Sequence, residues 1–594
     1  MAEKKKIISS FYNWTFLIIV LVAVVLINIV SSFVYRRVDM TEDQRYSLAE
    51  GTQTFLEGTK DLKGRVNIDI YLEGNLPSEL KHFRDAIEDK LKEFKLYAGD
   101  RIEYQFKDPH DGTDDEKEAL FQKLFAEGKG ILPMEILYEK DGASNKMLLW
   151  PGAVITYDGS TTNTIQFLPG SRTQEPYRIS DINGMTPNAI NNLEYMLVSS
   201  LRRATAETRK RIAFLQGHGE LEFKETQRVR AMISPYFAVT DVTLNDSIHA
   251  LDNIDGLIIA RPREKFSDKD LYIIDQFVMR GGRLMCFLDK LKLNEDSLMK
   301  NGQTHTVRYD LGIDNMLFDY GLKLQDNYVL DTKCTYKIAP YAEGGRIQWF
   351  YNVLGTPTNH PMSKNVENVS LPYVSEVQFV NNKKGLALTP ILTSSTNSMT
   401  TGLAPMVNMM MPLNYGENPQ LAANPNSPYN KKCLAGLAEG NFQSYFKNRI
   451  VGAFANNPES GFLEKSKQEG KVLLIGNGRW IENKYDSMPD PRGGYRYRPT
   501  QKYNDLQFDE DMLRMRMSHF FGNQEFFQNI ADYMLGENSV LDIRSRQIDM
   551  HPMDKDKVAR EATFYKIINL LLPIGIILVL GFGMNFIRKR RYAS

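Results

Sequence analysis

The sequence predicts an α/β protein in which two transmembrane helices flank a large extracytoplasmic region. Three observations carry that prediction. Charge-free stretches stand near both ends of the 594-residue chain, at Phe11–Tyr35 and Ile567–Ile587. Between them, segments of strand period and helix period alternate, the pattern of a sheet covered by helices. Finally, 73 basic residues balance 73 acidic ones and 42% of residues are hydrophobic. That is ordinary globular composition, without the basic excess that nucleic acid demands.

A hydrocarbon core needs about 20 helical residues to cross, and the two stretches hold 25 and 21. Trp14, Tyr35 and Phe586 stand where an interfacial aromatic belt would lie. Pro573 is tolerable inside such a helix. Lys4, Lys5 and Lys6 suggest a signal peptide, but the apolar run is too long and no small-x-small site follows, so an uncleaved anchor is expected. Basic residues tie across both spans. The dense cluster Arg588, Lys589, Arg590 and Arg591 favours both termini on the cytoplasmic side, with the bulk on the other side of the membrane. Membrane lipid is then an expected contact.

The expected organisation runs as follows. Residues 1–10 are a cytoplasmic tail, 11–35 the first span and 36–63 a linker with a short helix near Ser47. Residues 64–170 form a small α/β domain, 171–208 a connecting helix and 209–545 a large α/β domain with a mostly parallel sheet. Residues 546–566 are a juxtamembrane stalk, 567–587 the second span and 588–594 a basic tail.

In the small domain, Val66, Ile68, Ile70 and Leu72 alternate as in a strand. Leu80, Phe83, Ile87, Leu91, Phe94 and Ala98 then share one helix face, and Ile102, Tyr104 and Phe106 alternate again. A charged helix over 114–127 and strand-like runs over 134–167 follow. The succession resembles a thioredoxin-like unit without its CxxC. In the connecting helix Thr186 is expected as cap and Pro187 in the first turn, with Ile190, Leu193, Leu197 and Leu201 on one face.

The large domain opens with the strand "RIAFLQG", a helix over 223–234, and strands at "YFAVTDV" and "DGLIIARP". Ser267 with Asp270 three residues on reads as a capping box, and Gly281-Gly282 stops that helix before "RLMCFLD". "KVLLIGNGRW" is a further buried strand and 508–535 a long helix. Residues 396–430, rich in Asn, Pro and Met, read as a surface excursion; its Met cluster at 408–411 is either an adaptable surface or a buried anchor.

Two places invite a functional reading. In "FLQGHGEL", Gly217, His218, Gly219 and Glu220 follow a strand, where backbone N–H groups could meet an anion. The dinucleotide fingerprint fails, because Glu222 stands where its third glycine belongs. Neither a Walker A sequence, a HExxH motif nor a G-x-S-x-G elbow occurs, and the eight histidines are scattered singly. Cys286, Cys334 and Cys433 are far apart and odd in number, neither a disulfide framework nor a zinc spacing. No catalytic residue, cofactor or metal is expected. The second place is the irregular stretch 490–503, where Arg492, Arg496 and Arg498 interleave with Tyr495 and Tyr497 after a strand. Loops at the carboxyl ends of parallel strands are where such sheets bind ligands.

Taken together, "RYSLAEGTQTFLEG", "FLQGHGEL", "GNFQSYFKNR" and the ending "INLLLPIGIILVLGFGMNFIRKRRY" resemble the GldG family. These are gliding-motility-associated components of ABC transporters in Bacteroidetes, within a broader auxiliary-component family. The resemblance implies a GldF-like permease and a GldA-like ATPase as partners, a place in a bacterial inner membrane with the bulk periplasmic, and a larger domain like the class I glutamine amidotransferase folds, whose catalytic cysteine is not matched here. The leading expectation is a non-catalytic, membrane-anchored auxiliary subunit coupling these partners to an extracytoplasmic substrate or envelope partner. Two alternatives stand beside it: a membrane-tethered amidotransferase-like or hydrolytic enzyme using Gly217–Glu222, and an envelope scaffold binding polysaccharide or protein through 492–503.

Overall fold

The computed structural model describes residues 47–535 apart from short internal segments (59–61, 126–130, 141–142, 160, 169–175, 206–208, 339–344, 365, 381–382, 384, 417–418, 450–460, 491–493, 501–505, 507–508 and 516–520). It also describes Ile19, Val22 and eighteen positions between Lys566 and Arg590. Met1–Asp39 and Tyr46–Arg546 form one unit, and Met40–Arg45 with Gln547–Ser594 a second. In the second unit the described positions from Lys566 to Arg590 are helical.

The expectation of two transmembrane helices is corrected: among the described residues no helix is long and apolar enough to cross a membrane. Charge-free length alone does not make a span. Length and apolarity must coincide in one continuous helix, and among the described residues they do not. The longest described helix, Ser78–Ala98 with 21 residues, is amphipathic. Nearly all of residues 11–35, and the linker and stalk segments 36–46 and 546–565, lie outside the described residues.

In the small domain, β1 (Val66–Ile70) and β2 (Ile102–Phe106) are parallel, joined by α2 (Ser78–Ala98). The predicted face of α2 is the buried one, from Leu80 through Ala98. β5 (Gly152–Tyr157) lies antiparallel to β1, and β6 (Thr161–Gln166) to β5, giving the order β2-β1-β5-β6. The run expected at 134–167 divides between sheets, since β3 (Met134–Lys140), β4 (Ala143–Leu149) and β7 (Tyr177–Arg178) form a second one. The short helix α1 (Glu50–Glu57) is capped from a distance: Glu194 Oε1 accepts Ala49 N–H at 2.7 Å and the Thr52 hydroxyl at 2.6 Å. The connecting helix is two helices, α4 (Ile179–Asn191) and α5 (Leu193–Thr205). Pro187 lies inside α4 and not in its first turn, and the break falls at Asn192.

The large domain is built on a ten-stranded sheet. One half is parallel, in the order β9 (Ala238–Val242), β8 (Arg211–Leu215), β10 (Gly256–Ala260), β11 (Arg283–Phe287), β17 (Gly470–Ile475). Apart from the edge strand β9, its strands are buried on both faces. Phe214, Ile258, Met285 and Leu473 pack with Phe526, Phe527 and Ile530 of α11 (Asn523–Met534). Ala213, Leu257, Leu284 and Leu474 pack with Leu271, Ile274, Phe277 and Val278 of α7 (Asp268–Met279). Ser267 caps α7 through the predicted box with Asp270.

The other half corrects the mostly parallel expectation. β12 (Cys334–Ile338), β13 (Arg346–Pro357), β15 (Leu386–Thr393) and β16 (Cys433–Gly440) extend the sheet antiparallel from β17, and β14 (Val369–Pro372) pairs with β13. The architecture is mixed α/β with several sheets. An apolar strand reads alike in either direction; its connection decides orientation, and only 209–290 supplies helical crossovers. The long helix expected at 508–535 is likewise two, α10 (Glu510–Arg514) and α11.

Candidate functional site

Within the parallel half, the chain passes from β8 to β9 on one side and through β10, β11 and β17 on the other. The reversal therefore falls between β8 and β10, and a doubly wound sheet opens its ligand crevice outside the carboxyl ends of such a pair. The loop after β8 is the stretch containing Gly217, His218, Gly219 and Glu220. Gly217 and Gly219 have φ of +119° and +72°, which glycine alone adopts without strain. Their reversal lets the His218 carbonyl accept the N–H groups of Arg263 at 2.8 Å and Glu264 at 2.9 Å, from the loop after β10. Leu221 N–H donates to the Ala260 carbonyl at 2.9 Å. The protein's own main chain fills the crevice.

His218 is the buried rivet of this closure. Its N–H donates to Glu220 Oε2 at 2.6 Å, while Nδ1 meets Glu220 Oε1 at 3.1 Å and Nε2 meets Asp270 Oδ2 at 3.3 Å. The ring stacks on Phe266 at 4.1 Å. Burial pulls the imidazole pKa down, but the Glu220 carboxylate, and then Asp270, outweigh it and hold the pKa above its ordinary value. With a carboxylate at each nitrogen, both ring nitrogens have an acceptor when the ring is protonated. The hydroxyl of Ser267 also donates to Asp270 Oδ2, at 2.5 Å. The order is thus hydroxyl–carboxylate–imidazole. In a nucleophilic triad the imidazole stands between the other two, so here it has no hydroxyl proton to take.

A second group, not singled out from the sequence, gathers at the same sheet edge. Arg261 follows β10 with φ of +55°, an uncommon conformation for a side-chain-bearing residue. Its guanidinium bonds Asp289 Oδ2 at 2.9 Å and Glu482 Oε2 at 2.7 Å. Arg479 approaches Asp289 at 3.5 Å and pairs with Glu295. Gly478 N–H donates to Asp289 Oδ1 at 2.7 Å. Burial opposes the Arg261 charge, yet Asp289 and Glu482 raise its pKa, whereas burial prevails at Arg479 and lowers it. The signal in the sequence was a charge shortly after each buried strand, Arg261 in "IIARP", Asp289 in "CFLDK" and Arg479 in "LLIGNGR".

The stretch expected as an irregular loop is a hairpin, β18 (Tyr485–Pro489) against β19 (Tyr495–Pro499). Arg492 lies outside the described residues. Tyr495, Arg496, Tyr497 and Arg498 are all exposed on β19. Lys224 lies over the rings of Tyr485 and Tyr497, at 5.2 and 4.9 Å, and Gln227 donates to the Tyr497 carbonyl at 3.1 Å. The two candidate places thus stand at one edge, linked through residues 222–228.

Other marked residues are structural. Ser444 and Tyr445 of "GNFQSYFKNR" hold buried Asp275 on α7: the Ser444 hydroxyl donates at 2.6 Å and Tyr445 N–H at 2.9 Å, joined by the Tyr320 hydroxyl at 2.7 Å. The three cysteines are free, and burial pushes each thiol up, Cys433 to about 12. Met409 is buried in a cluster with Trp349 and Tyr351, whereas Met410 is exposed.

Residues 42–156 match a domain of unknown function. No curated protein matches the sequence. Among solved structures the chain is similar to one described as "mmIFT52 N-terminal domain", at 10% identity and a TM-score of 0.30, covering 55% of this chain and 97% of that one. A score that low supports no argument. Residues 209–512 match the family described as ABC-type uncharacterized transport system, without singling out its gliding-motility branch. That match takes in the closed crevice, the charged edge and the hairpin, more than half of the chain, and the protein belongs to this transport-associated family.

Proposed function

We propose that the protein is a non-catalytic auxiliary subunit of an ABC transporter, working beside a GldF-like permease and a GldA-like ATPase. The observation that carries this reading is the self-filled crevice. His218 is committed to Glu220 and Asp270, and its carbonyl to the facing loop, where an enzyme of this architecture would hold substrate. Family membership supports the transport role. The chain has no Walker A sequence, so hydrolysis of ATP would fall to a separate subunit. Membership of the gliding branch, and a periplasmic position for the α/β bulk, belong to the same proposal and rest on the sequence resemblance.

The test is affinity purification of a tagged copy at native level after mild cross-linking. A permease and an ATPase should co-purify, and His218→Ala should leave that recovery unchanged at temperatures where the variant is folded. Absence of both partners would overturn the proposal. So would a hydrolytic or transfer activity of the purified chain that His218→Ala abolishes. Protease treatment of spheroplasts should cleave the α/β bulk if it is periplasmic.

A further inference from the structure

The small domain holds a cavity of about 240 Å³ at the carboxyl ends of its parallel strands. Segments 71–76 after β1 and 108–110 after β2 enclose it with the end of β4, and Leu76, Pro109, Met147 and Leu149 give it apolar walls. Tyr71 lines it too. That residue is only 3% exposed, yet among the described residues its hydroxyl has no hydrogen-bond partner. A buried hydroxyl costs free energy unless something bonds it. Burial, and then Asp69, push its pKa up to about 12, so it stays a neutral phenol that can accept a hydrogen bond.

Asp108 lines the same cavity. Its Oδ1 accepts the His110 N–H at 2.8 Å, and its Oδ2 has no partner among the described residues. Gly74, with φ of +106°, admits that oxygen: a Cβ there would lie 2.3 Å from it. His110 Nε2 donates to the Leu148 carbonyl at 2.7 Å, which ties the loop after β2 to the end of β4.

The charge around the cavity has one sign. Residues 108–118, all described, carry six carboxylates and one lysine. Asp111, Asp114 and Asp115 are exposed, the last two in the first turn of α3 (Asp114–Phe125). The basic side chains beside the lining segments are paired elsewhere, Lys107 with Asp69 at 2.6 Å and Lys146 with Glu135 at 2.8 Å. Arg84 holds Glu73 but also Asp85 and Glu88, so that group stays negative as well.

We propose that this cavity receives a lysine side chain from a basic segment of a partner polypeptide, its stem against the apolar walls and its ammonium on the Tyr71 hydroxyl and Asp108 Oδ2. The volume is below the roughly 300–1,000 Å³ of sites for drug-sized ligands, and suits one side chain. Asp108 offers a single free oxygen, which matches a compact ammonium better than the two-pronged guanidinium of arginine. The acidic stretch runs on from the cavity into α3, further than a free amine would reach, and so favours a segment of chain over a small molecule. This goes beyond the transporter-subunit reading and does not depend on it.

The experiment is fluorescence anisotropy of the full chain, at low ionic strength, with a labelled octapeptide of alternating Lys and Ser. The same peptide acetylated on its lysines, and n-butylammonium as competitor, are the comparators. The Lys–Ser peptide should bind and the acetylated one should not. Tyr71→Phe removes the hydroxyl without changing charge, and should weaken binding about tenfold with the melting temperature unchanged, because that hydroxyl has no partner to lose. Asp108→Asn should weaken it as much. If Asp108→Asn lowers the melting temperature, Tyr71→Phe and the acetylated peptide carry the test. No binding of the Lys–Ser peptide, equal binding of its acetylated form, or binding that Tyr71→Phe leaves unchanged would overturn the proposal. So would displacement of the peptide by an equal concentration of n-butylammonium, which would make the occupant a free amine. Co-purification of a permease and an ATPase is a separate measurement, so the two readings fail separately.

Discussion

Replacing His218 by alanine separates architecture from chemistry at the Gly217–Glu220 loop. The ring bridges Glu220 and Asp270 at 3.1 and 3.3 Å, and its removal deletes two charge-assisted hydrogen bonds. Each is worth about 1.5–3 kcal/mol. Asp270 keeps its bonds to Ser267, so its share is discounted, while the Glu220 side chain, 0% exposed, is left relying on the residue-218 main-chain N–H. A net loss of about 3 kcal/mol is expected, between the value of one such bond and the cost of breaking a buried pair. Because the folded pKa is raised, the protonated ring's contribution is fully present below the ordinary imidazole value of 6.5 and is lost as pH rises through the folded pKa. Thermal unfolding of the full chain should therefore show the variant melting roughly 5 °C below wild type at about pH 6, with the gap narrowing as pH rises through the folded pKa. A gap independent of pH, or an unchanged melting temperature accompanied by a lost activity, would refute the structural assignment.

Two further outcomes test the sheet edge and the core. Gly478→Ala should destabilise by about 1–3 kcal/mol in urea unfolding, since its Cβ would come within 2.7 Å of Arg261 Cβ and Cγ; Gly402→Ala, with nothing within 4 Å, should be silent apart from its smaller backbone effect. Asp275→Leu should cost roughly 3 kcal/mol or more by stranding the Tyr320, Ser444 and Tyr445 donors. Asp275→Asn should cost less. Burial raises the Asp275 pKa, so wild type loses stability as pH rises above the carboxyl's ordinary value through the folded one, and its advantage over the Asn variant should shrink over that window.

What was legible was local. The face of Ser78–Ala98, the buried strands at 211–215, 256–260 and 283–287, and the Ser267–Asp270 cap all follow from spacing within a few residues. So did the turn at Gly217 and Gly219, because glycine at a strand end announces a reversal whatever lies beyond it. The function of that turn was not legible. His218 meets Asp270, 52 residues away, and no periodicity connects two such positions.

The same limit explains the corrections. Residues 334–440 contain apolar strands whose direction depends on connections the strand pattern does not encode, and they turned a mostly parallel sheet into a mixed one. Charge-free length suggested spans, but spanning is a property of a continuous helix, and among the described residues none qualifies. The Arg261–Asp289–Glu482 network joins three loops separated by 28 and 221 residues from Arg261. By itself, then, the sequence determined those strongly periodic segments and the face each one buries, because they depend on neighbours along the chain. Only the tertiary structure decided strand direction, the closing of the crevice and the partners of His218, because those depend on which distant loops meet at one edge of a sheet.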